Sequence, residues 1–288
     1  MADPRPLSTI RHELAQIRVV YTDLDGTMLG PGGSFVHDPK GEPTDAPVRA
    51  LNSARKAGVE IVPTSGRALR GLQTDARLLG MGSVIAEMGA LIGDDFGRTV
   101  IRLFGDTPIE GDEMPARTME RVGAVDLIHE RFGDRLEAHT PWSTWRECTH
   151  LFRGRVDVAE VDGALAEAGF DWLTLHDNGR LHGAYLGLAQ GESRAYHLIP
   201  RGVSKGAGVT AHLQHRGWRP EEAIAIGDAY ADLQLAGSTA WCVIVGDALR
   251  GDDLLREACV ANERVLVTRA PQNLGWVELL EAIVAAKA

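Results

Sequence analysis

The sequence reads as an α/β protein, a doubly wound parallel sheet interrupted by an inserted α+β unit. Short apolar runs alternate with amphipathic stretches from residue 17 to 92, the strand–helix–strand rhythm of a parallel sheet. The rhythm is lost between about residues 105 and 199 and returns after Pro200. Clusters of Asp, Ser, Thr and Lys fall at the ends of the apolar runs or on the helix starts beside them, where open parallel sheets bind ligands.

The first sixteen residues suit a helical or frayed lead-in. Residues 17–25 (IRVVYTDLD) read as a buried strand, followed by a Gly/Pro-rich loop over 30–47. A helix is expected over 48–58, with Gly58 at its C-terminal end, then a strand over 59–66 and a helix over 67–80. Residues 83–92 read as one third strand, and 90–103 as a hairpin around 94–97. Within the insert, 157–169 is an amphipathic helix and 171–186 a hairpin turning at Asn178–Gly179. After it come a helix over 204–217 with Ser204 as N-cap and a strand–loop–helix over 223–236. Strands over 240–247 and 264–269 and a closing helix over 274–286 complete the chain. The expected organisation is core 1–104, insert 105–199, core 200–288.

Bulk composition narrows the function. Of 288 residues, 44% are apolar and 24% charged, the balance of a globular chain. The net charge of −10 argues against nucleic-acid and membrane-surface partners, though a small anion can still meet a locally positive site. Cys148, Cys242 and Cys259 are far apart, without metal or redox spacing, and are expected as buried thiols. The N-terminal stretch lacks an apolar signal core, and no run approaches a membrane span. A cytoplasmic protein, monomer or homodimer, is expected.

The chemistry rests on four clusters: Asp23 with Asp25, Thr64 with Ser65, Lys205, and Asp228 with Asp232. Alone, each has an ordinary structural use as a turn, an N-cap or a solvated helix residue. A calcium loop from Asp23 is excluded, because Met28 and Ser34 stand where Gly and Glu are required. Together the clusters suit a phosphate ester. Attack on one brings negative nucleophile and negative phosphoryl oxygens together, so a lysine and a divalent cation are needed. Hard carboxylate oxygens suit Mg2+. A carboxylate can attack to give an aspartyl-phosphate, and a second can move the proton. Asp23 and Asp25, two residues apart on extended chain, point to one side, and Gly26 permits a sharp exit. The Thr64–Ser65–Gly66–Arg67 stretch offers a hydroxyl and N–H groups beside a helix N-terminus.

These motifs resemble the haloacid dehalogenase superfamily of phosphohydrolases, in the Cof-type branch with a large α+β cap after the third strand. DLDGT (23–27), SGR (65–67), GVSKG (202–206) and GDAYAD (227–232) look like its four motifs, and EMGALI (87–92) like the segment before the cap. The resemblance implies a Rossmann-like core, Asp23 as nucleophile and Asp25 as general acid/base, with Ser65 and Lys205 on the phosphate. It further implies Thr64, Gly66 and Arg67 on the substrate, and Mg2+ at Asp23, Asp25, Asp228 and Asp232. Ala231 and Met88 stand where the branch usually has Asn, which bears on substrate contacts rather than on phosphoryl chemistry.

The expected activity is a Mg2+-dependent phosphatase for a small phosphorylated metabolite, in first place a sugar phosphate. Phosphomannomutase-like transfer and a catalytically weak regulator that binds a phosphorylated ligand are the alternatives. A receiver domain uses similar residues but is far shorter and has no insert. Trp142, Trp145, Arg146, His150, Arg153, Arg155, His176 and His182 are the insert's candidates for the leaving group. Both Trp are expected mostly as core and the arginines mostly as solvated. His212 and His215 read as surface.

Overall fold

Alternate residues of a strand turn to opposite faces, and in this chain both faces are apolar. The computed structural model describes residues 3–181 and 193–288. Its central sheet runs β12-β11-β10-β1-β2, every pair parallel. The strands are β1 (Val19–Thr22), β2 (Glu60–Pro63), β10 (Ala223–Gly227), β11 (Trp241–Ile244) and β12 (Val265–Val267). Val20, Ile224, Ile226, Val243 and Leu266 face one apolar core, which is shared with α1 (Ala46–Lys56) and α8 (Gln272–Lys287). Val19, Tyr21, Ala223, Ala225, Cys242 and Ile244 face the other, with α6 (Lys205–Arg216) and α7 (Asp253–Ala261). A sheet covered on both sides needs the near-continuous apolar strands seen here.

The chain leaves β1 toward β2 on one side and later returns as β10 on the other. That reversal makes a crevice at the carboxyl ends of β1 and β10. Ser204 Oγ accepts from Ala207 N at 3.1 Å, so the expected N-cap starts α6 and places Lys205 in its first turn, facing that crevice.

Four expectations need correction. The lead-in is neither a regular helix nor frayed: two 3-10 turns, Leu7–Ile10 and Glu13–Gln16, bury Leu7, Ile10 and Leu14 in the first core. The single third strand is two, β3 (Val84–Ala86) and β4 (Leu91–Asp94), joined by a turn at Glu87–Gly89. An apolar run hides such a turn because Met88 in it is itself buried. β4 pairs antiparallel with β3 and with β5 (Thr99–Arg102), the expected hairpin, while a bridge from Thr64 to Ile85 carries β3 onto the parallel sheet. The helix expected before residue 236 is a 3-10 helix, Tyr230–Gly237.

The insert is a four-stranded antiparallel sheet, β6-β7-β9-β8. Its strands are β6 (Leu136–Ala138), β7 (His150–Gly154), β8 (Leu173–Arg180) and β9 (Arg194–Pro200). Helices α3 (Pro115–Arg121), α4 (Ala124–Phe132) and α5 (Val158–Glu167) belong to the same region, and α4 and α5 share a separate core with the sheet. In the core, α2 (Leu69–Leu78) follows the second polar cluster. The fourth correction is here: Asn178–Gly179 is not the hairpin turn. β8 runs through it, and the register slips between Asp177 and Arg180, a bulge that absorbs an extra residue. The expected remainder of that hairpin, with His182, lies outside the described residues. Among the described residues no helix is long and apolar enough to cross a membrane. The three cysteines are free and buried, as expected.

Candidate active site

Asp23 follows β1 directly, and its N–H donates to the Ile226 carbonyl of β10 at 2.9 Å. The ladder therefore fixes its main chain at the crevice. Lys205 Nζ donates to Asp23 Oδ1 and to Asp232 Oδ1, each at 2.7 Å. Asp232 is fully buried, and its Oδ2 accepts the N–H groups of Asp228 and Ala229, both at 3.2 Å. Asp228, just after β10, accepts from Thr27 Oγ1 at 3.2 Å. Gly26 is required on two counts: its φ is +82°, and a Cβ there would stand 2.4 Å from Asp228 Oδ2.

The electrostatics are those of crowded carboxylates around one ammonium. Burial raises the Asp23 pKa from 3.8 to about 7; Lys205 opposes this, and the charges of Asp232 and Asp25 add to it. Burial, then Asp23 and Asp232, push Asp228 well above the usual carboxylate range. Burial works against the Lys205 charge, yet Asp23 and Asp232 hold its pKa above the ordinary value. Asp23, Asp228 and Asp232 each offer an oxygen, all within 4.8 Å of one another. One lysine does not balance three such groups. The hard oxygen donors and the surplus negative charge fit Mg2+.

Asp25 sits apart from this trio. Its carboxylate takes Arg67 Nη2 at 2.7 Å and Nε at 3.3 Å, while Arg67 Nη1 reaches Asp75 at 3.1 Å. The Asp25 carboxylate is thus not among the converging metal-ligand candidates, and Arg67 binds it instead of standing open to substrate. Ser65 is buried, with N–H on the Ile85 carbonyl and Oγ accepting from Arg67 N at 3.3 Å. Thr64 is turned inward, and its hydroxyl donates to the Val62 carbonyl at 3.2 Å. Gly66 meets the insert, since its carbonyl accepts Arg146 Nη2 at 2.9 Å.

The sequence reading missed Glu87 and His197. Glu87 has φ +48°, costly for a side-chain-bearing residue. Its buried carboxylate accepts from the N–H groups of Glu147, Cys148 and Thr149 and from the Thr149 hydroxyl, at 2.9–3.0 Å. One core residue thereby holds the insert's chain at the entry to β7. No local signal marks it except its place before the insert. His197 lies in β9 within an apolar run and is 1% exposed. A Cβ on Gly66 would come within 2.6 Å of its Nε2 and 3.2 Å of Met88 Sδ. Met88, in place of the expected amide, therefore packs beneath this contact.

Other candidates separate clearly. Trp142 and Trp145 are 63% and 76% exposed, not core. Trp145 stacks under Arg70 of α2, 5.5 Å from ring centre to guanidinium. His150 is tied to the Ala116 carbonyl and Arg153 to Glu137, while Arg155 is exposed. His212 is fully buried rather than on the surface, hydrogen-bonded to Tyr21 at 2.9 Å, because Val209, His212 and Leu213 share the inward face of α6. His215 pairs with Asp94 at 3.1 Å. A second ligand-like group, Glu60, Asp94 and His212, gathers at the other end of the sheet, where Arg216 already bonds both carboxylates.

A family model described as haloacid dehalogenase-like hydrolase matches residues 180–251. A phosphoglycolate phosphatase of Pyrobaculum neutrophilum is 28% identical over 267 residues, 92% of this chain and 95% of that protein. Among solved structures, the sucrose-phosphatase of Synechocystis sp. PCC6803, in complex with sucrose and phosphate, superposes with a TM-score of 0.62. It is 14% identical, covering 93% of this chain and 98% of that one. A haloacid dehalogenase-like hydrolase from Bacteroides thetaiotaomicron gives a TM-score of 0.61 at 17% identity, over 93% and 99% of the two chains.

Proposed function

We propose that this chain is a haloacid dehalogenase-like phosphatase that hydrolyses a small phosphorylated metabolite through an aspartyl-phosphate on Asp23, a reading that the family model over residues 180–251 and the similar phosphoglycolate phosphatase support. The observation that carries this is Lys205 bonded at once to Asp23 and Asp232, with Asp228 beside them at the sheet's crevice.

The Oδ1 of Asp23 is held by Lys205, so Oδ2 is the nucleophile. It forms the new O–P bond as the bond from phosphorus to the leaving oxygen breaks. Asp25, which stands beside the acidic trio, protonates that oxygen after parting from Arg67. A water then attacks phosphorus, Asp25 takes its proton, and the P–O bond to Asp23 breaks to release phosphate. The Ser65 hydroxyl and the Gly66 N–H, the one amide of that turn not already bonded within the fold, hold the phosphoryl oxygens. Asp23 and Asp228 would hold Mg2+, with Asp232 behind them. Bound there, the ion neutralises the phosphate and so lowers the repulsion between it and the attacking carboxylate.

We place the cap at residues 105–199, between core segments 1–104 and 200–288. The cap closes the site over Gly66 and selects the leaving group. The similar proteins are named for phosphoglycolate and for sucrose phosphate chemistry, so a sugar phosphate and a short phosphorylated acid are the two classes to test. Inorganic phosphate release from a panel of both, with Mg2+ and with EDTA, tests the reading. Metal-dependent release that Asp23→Asn abolishes supports it; no release from folded protein refutes it.

A further inference from the structure

Roof and floor of the site touch directly. Arg146, in the loop between β6 and β7, donates Nη2–H to the Gly66 carbonyl, and the His197 ring lies against Gly66. His176 is the cross-strand partner of His197 in β8 and β9, so both side chains lie on one face of the sheet. Lys205 and Asp232 are near enough to His176 to shift its titration. Arg146 and His197 therefore meet the floor at Gly66, and His176 lies beside His197 on the same face of the sheet.

These three side chains keep unused hydrogen-bonding capacity. A guanidinium has about five N–H donors. Arg146 uses three, on the Trp142 carbonyl, the Thr149 hydroxyl and the Gly66 carbonyl. Among the described residues no ion pair involves it. Glu87 is one hydroxyl away through Thr149, but its oxygens already accept four hydrogen bonds. Burial pushes the Arg146 pKa down to about 10, with Glu87 offsetting only part. His197 Nδ1 and His176 Nε2 are buried without a hydrogen-bond partner. Burial, then the neighbouring cations, lowers both ring pKa values, so both rings are neutral at pH 7. Buried polar atoms are rarely left unpaired without a ligand or water to meet them.

We infer that this roof reads a carboxylate on a short leaving group, Arg146 taking the carboxylate and His176 and His197 the adjacent oxygens. The inference rests on the phosphatase reading above. Two spare N–H groups on one planar fork match two oxygens in one plane. A neutral sugar would leave the half-buried guanidinium without a counter-charge. The direct contact of roof and floor at Gly66 also favours a leaving group only a few carbons long over a hexose or disaccharide.

The test compares phosphate release from phosphoglycolate with release from ethylene glycol monophosphate, which carries CH2OH in place of the carboxylate. Glucose phosphate serves as the ring substrate and p-nitrophenyl phosphate as an unselective one. The acid should exceed its neutral twin in kcat/KM by about 10- to 100-fold, the worth of a charge-assisted pair. That ratio should fall toward unity in Arg146→Gln and stay intermediate in Arg146→Lys. Independently of any variant's folding, glycolate should compete with p-nitrophenyl phosphate on the unmodified enzyme while ethylene glycol does not. Equal rates on the twins, a preference for glucose phosphate, or equal competition would overturn the inference and leave the phosphatase reading standing. Release from none of the four, p-nitrophenyl phosphate included, would remove the phosphatase reading and this inference with it.

Discussion

Lys205 and Asp232 meet at 2.7 Å in a place where the lysine is 3% exposed and the aspartate not at all. The same ammonium binds Asp23, so one side chain compensates two buried carboxylates and moderates a third, Asp228. Lys205→Met removes that cation from a buried acidic cluster. Breaking a buried pair in this way costs about 3–5 kcal/mol. Thermal unfolding should show the loss, and added Mg2+ should restore more stability to the variant than to the unmodified protein. Equal Mg2+ effects on both would count against a cation site among these carboxylates.

Gly66 is where floor and cap touch. Alanine there would put a methyl group 2.6 Å from His197 Nε2 and 3.2 Å from Met88 Sδ. The roof must shift to admit it, at a cost of about 1–3 kcal/mol for an overpacked site. Gly66→Ala is expected to lose most of its kcat/KM while remaining folded by circular dichroism. Activity close to that of the unmodified enzyme would show that the cap moves freely at this contact.

Glu87 bonds three main-chain N–H groups and one hydroxyl of the insert. Glutamine supplies one acceptor oxygen and turns an NH2 toward donors. Glu87→Gln should therefore lose about 2–4 kcal/mol, a buried charged acceptor being replaced by a mismatch. Hydrogen exchange should accelerate first at the amides of residues 147–149. Unchanged protection there would mean that the insert is held elsewhere.

The motifs are legible because their residues lie where a strand ends or in the first turn of the helix that follows, and such boundaries show in a single sequence. Asp23, Asp228 and Lys205 are predictable from this local pattern plus the parallel topology. Arg146 and Gly66 are 80 positions apart and meet through a side-chain-to-carbonyl bond, which no periodicity encodes. His197 looks like any residue of a buried strand until Gly66 is seen beneath it. Glu87 and Met88 are hidden in an apolar run that holds a turn with three consecutive positive-φ residues, two of them not glycine. The lead-in's apolar residues are too sparse to signal a helix, yet Leu7, Ile10 and Leu14 are buried. Leu14→Ala should cost about 2–5 kcal/mol in a denaturant titration, the value of a core leucine; a cost near zero would return the segment to the status of a tail.

His212 sets an acid limb on stability. Burial lowers its pKa from 6.5 to about 4. Between those values the unfolded chain binds a proton that the folded chain refuses, so stability rises with pH across that window. The contribution is complete above pH 6.5 and is lost progressively as pH falls toward 4, reaching about 3 kcal/mol. His212→Asn removes the titrating group. Unfolding free energies from denaturant titrations at pH 7.5 and pH 5 should differ by about 2 kcal/mol more for the unmodified protein than for the variant. Parallel behaviour of the two would assign the acid limb to other groups.

In the proposed reaction Asp23 carries the phosphoryl group. Turnover of a hydrolysed substrate can be quenched with borohydride, which reduces an acyl phosphate, and the digest read by peptide mass spectrometry. Asp23 should be reduced to homoserine, dependent on substrate and not in Lys205→Met. Turnover without modification at Asp23, or with modification at Asp25 or Asp228 instead, would contradict it.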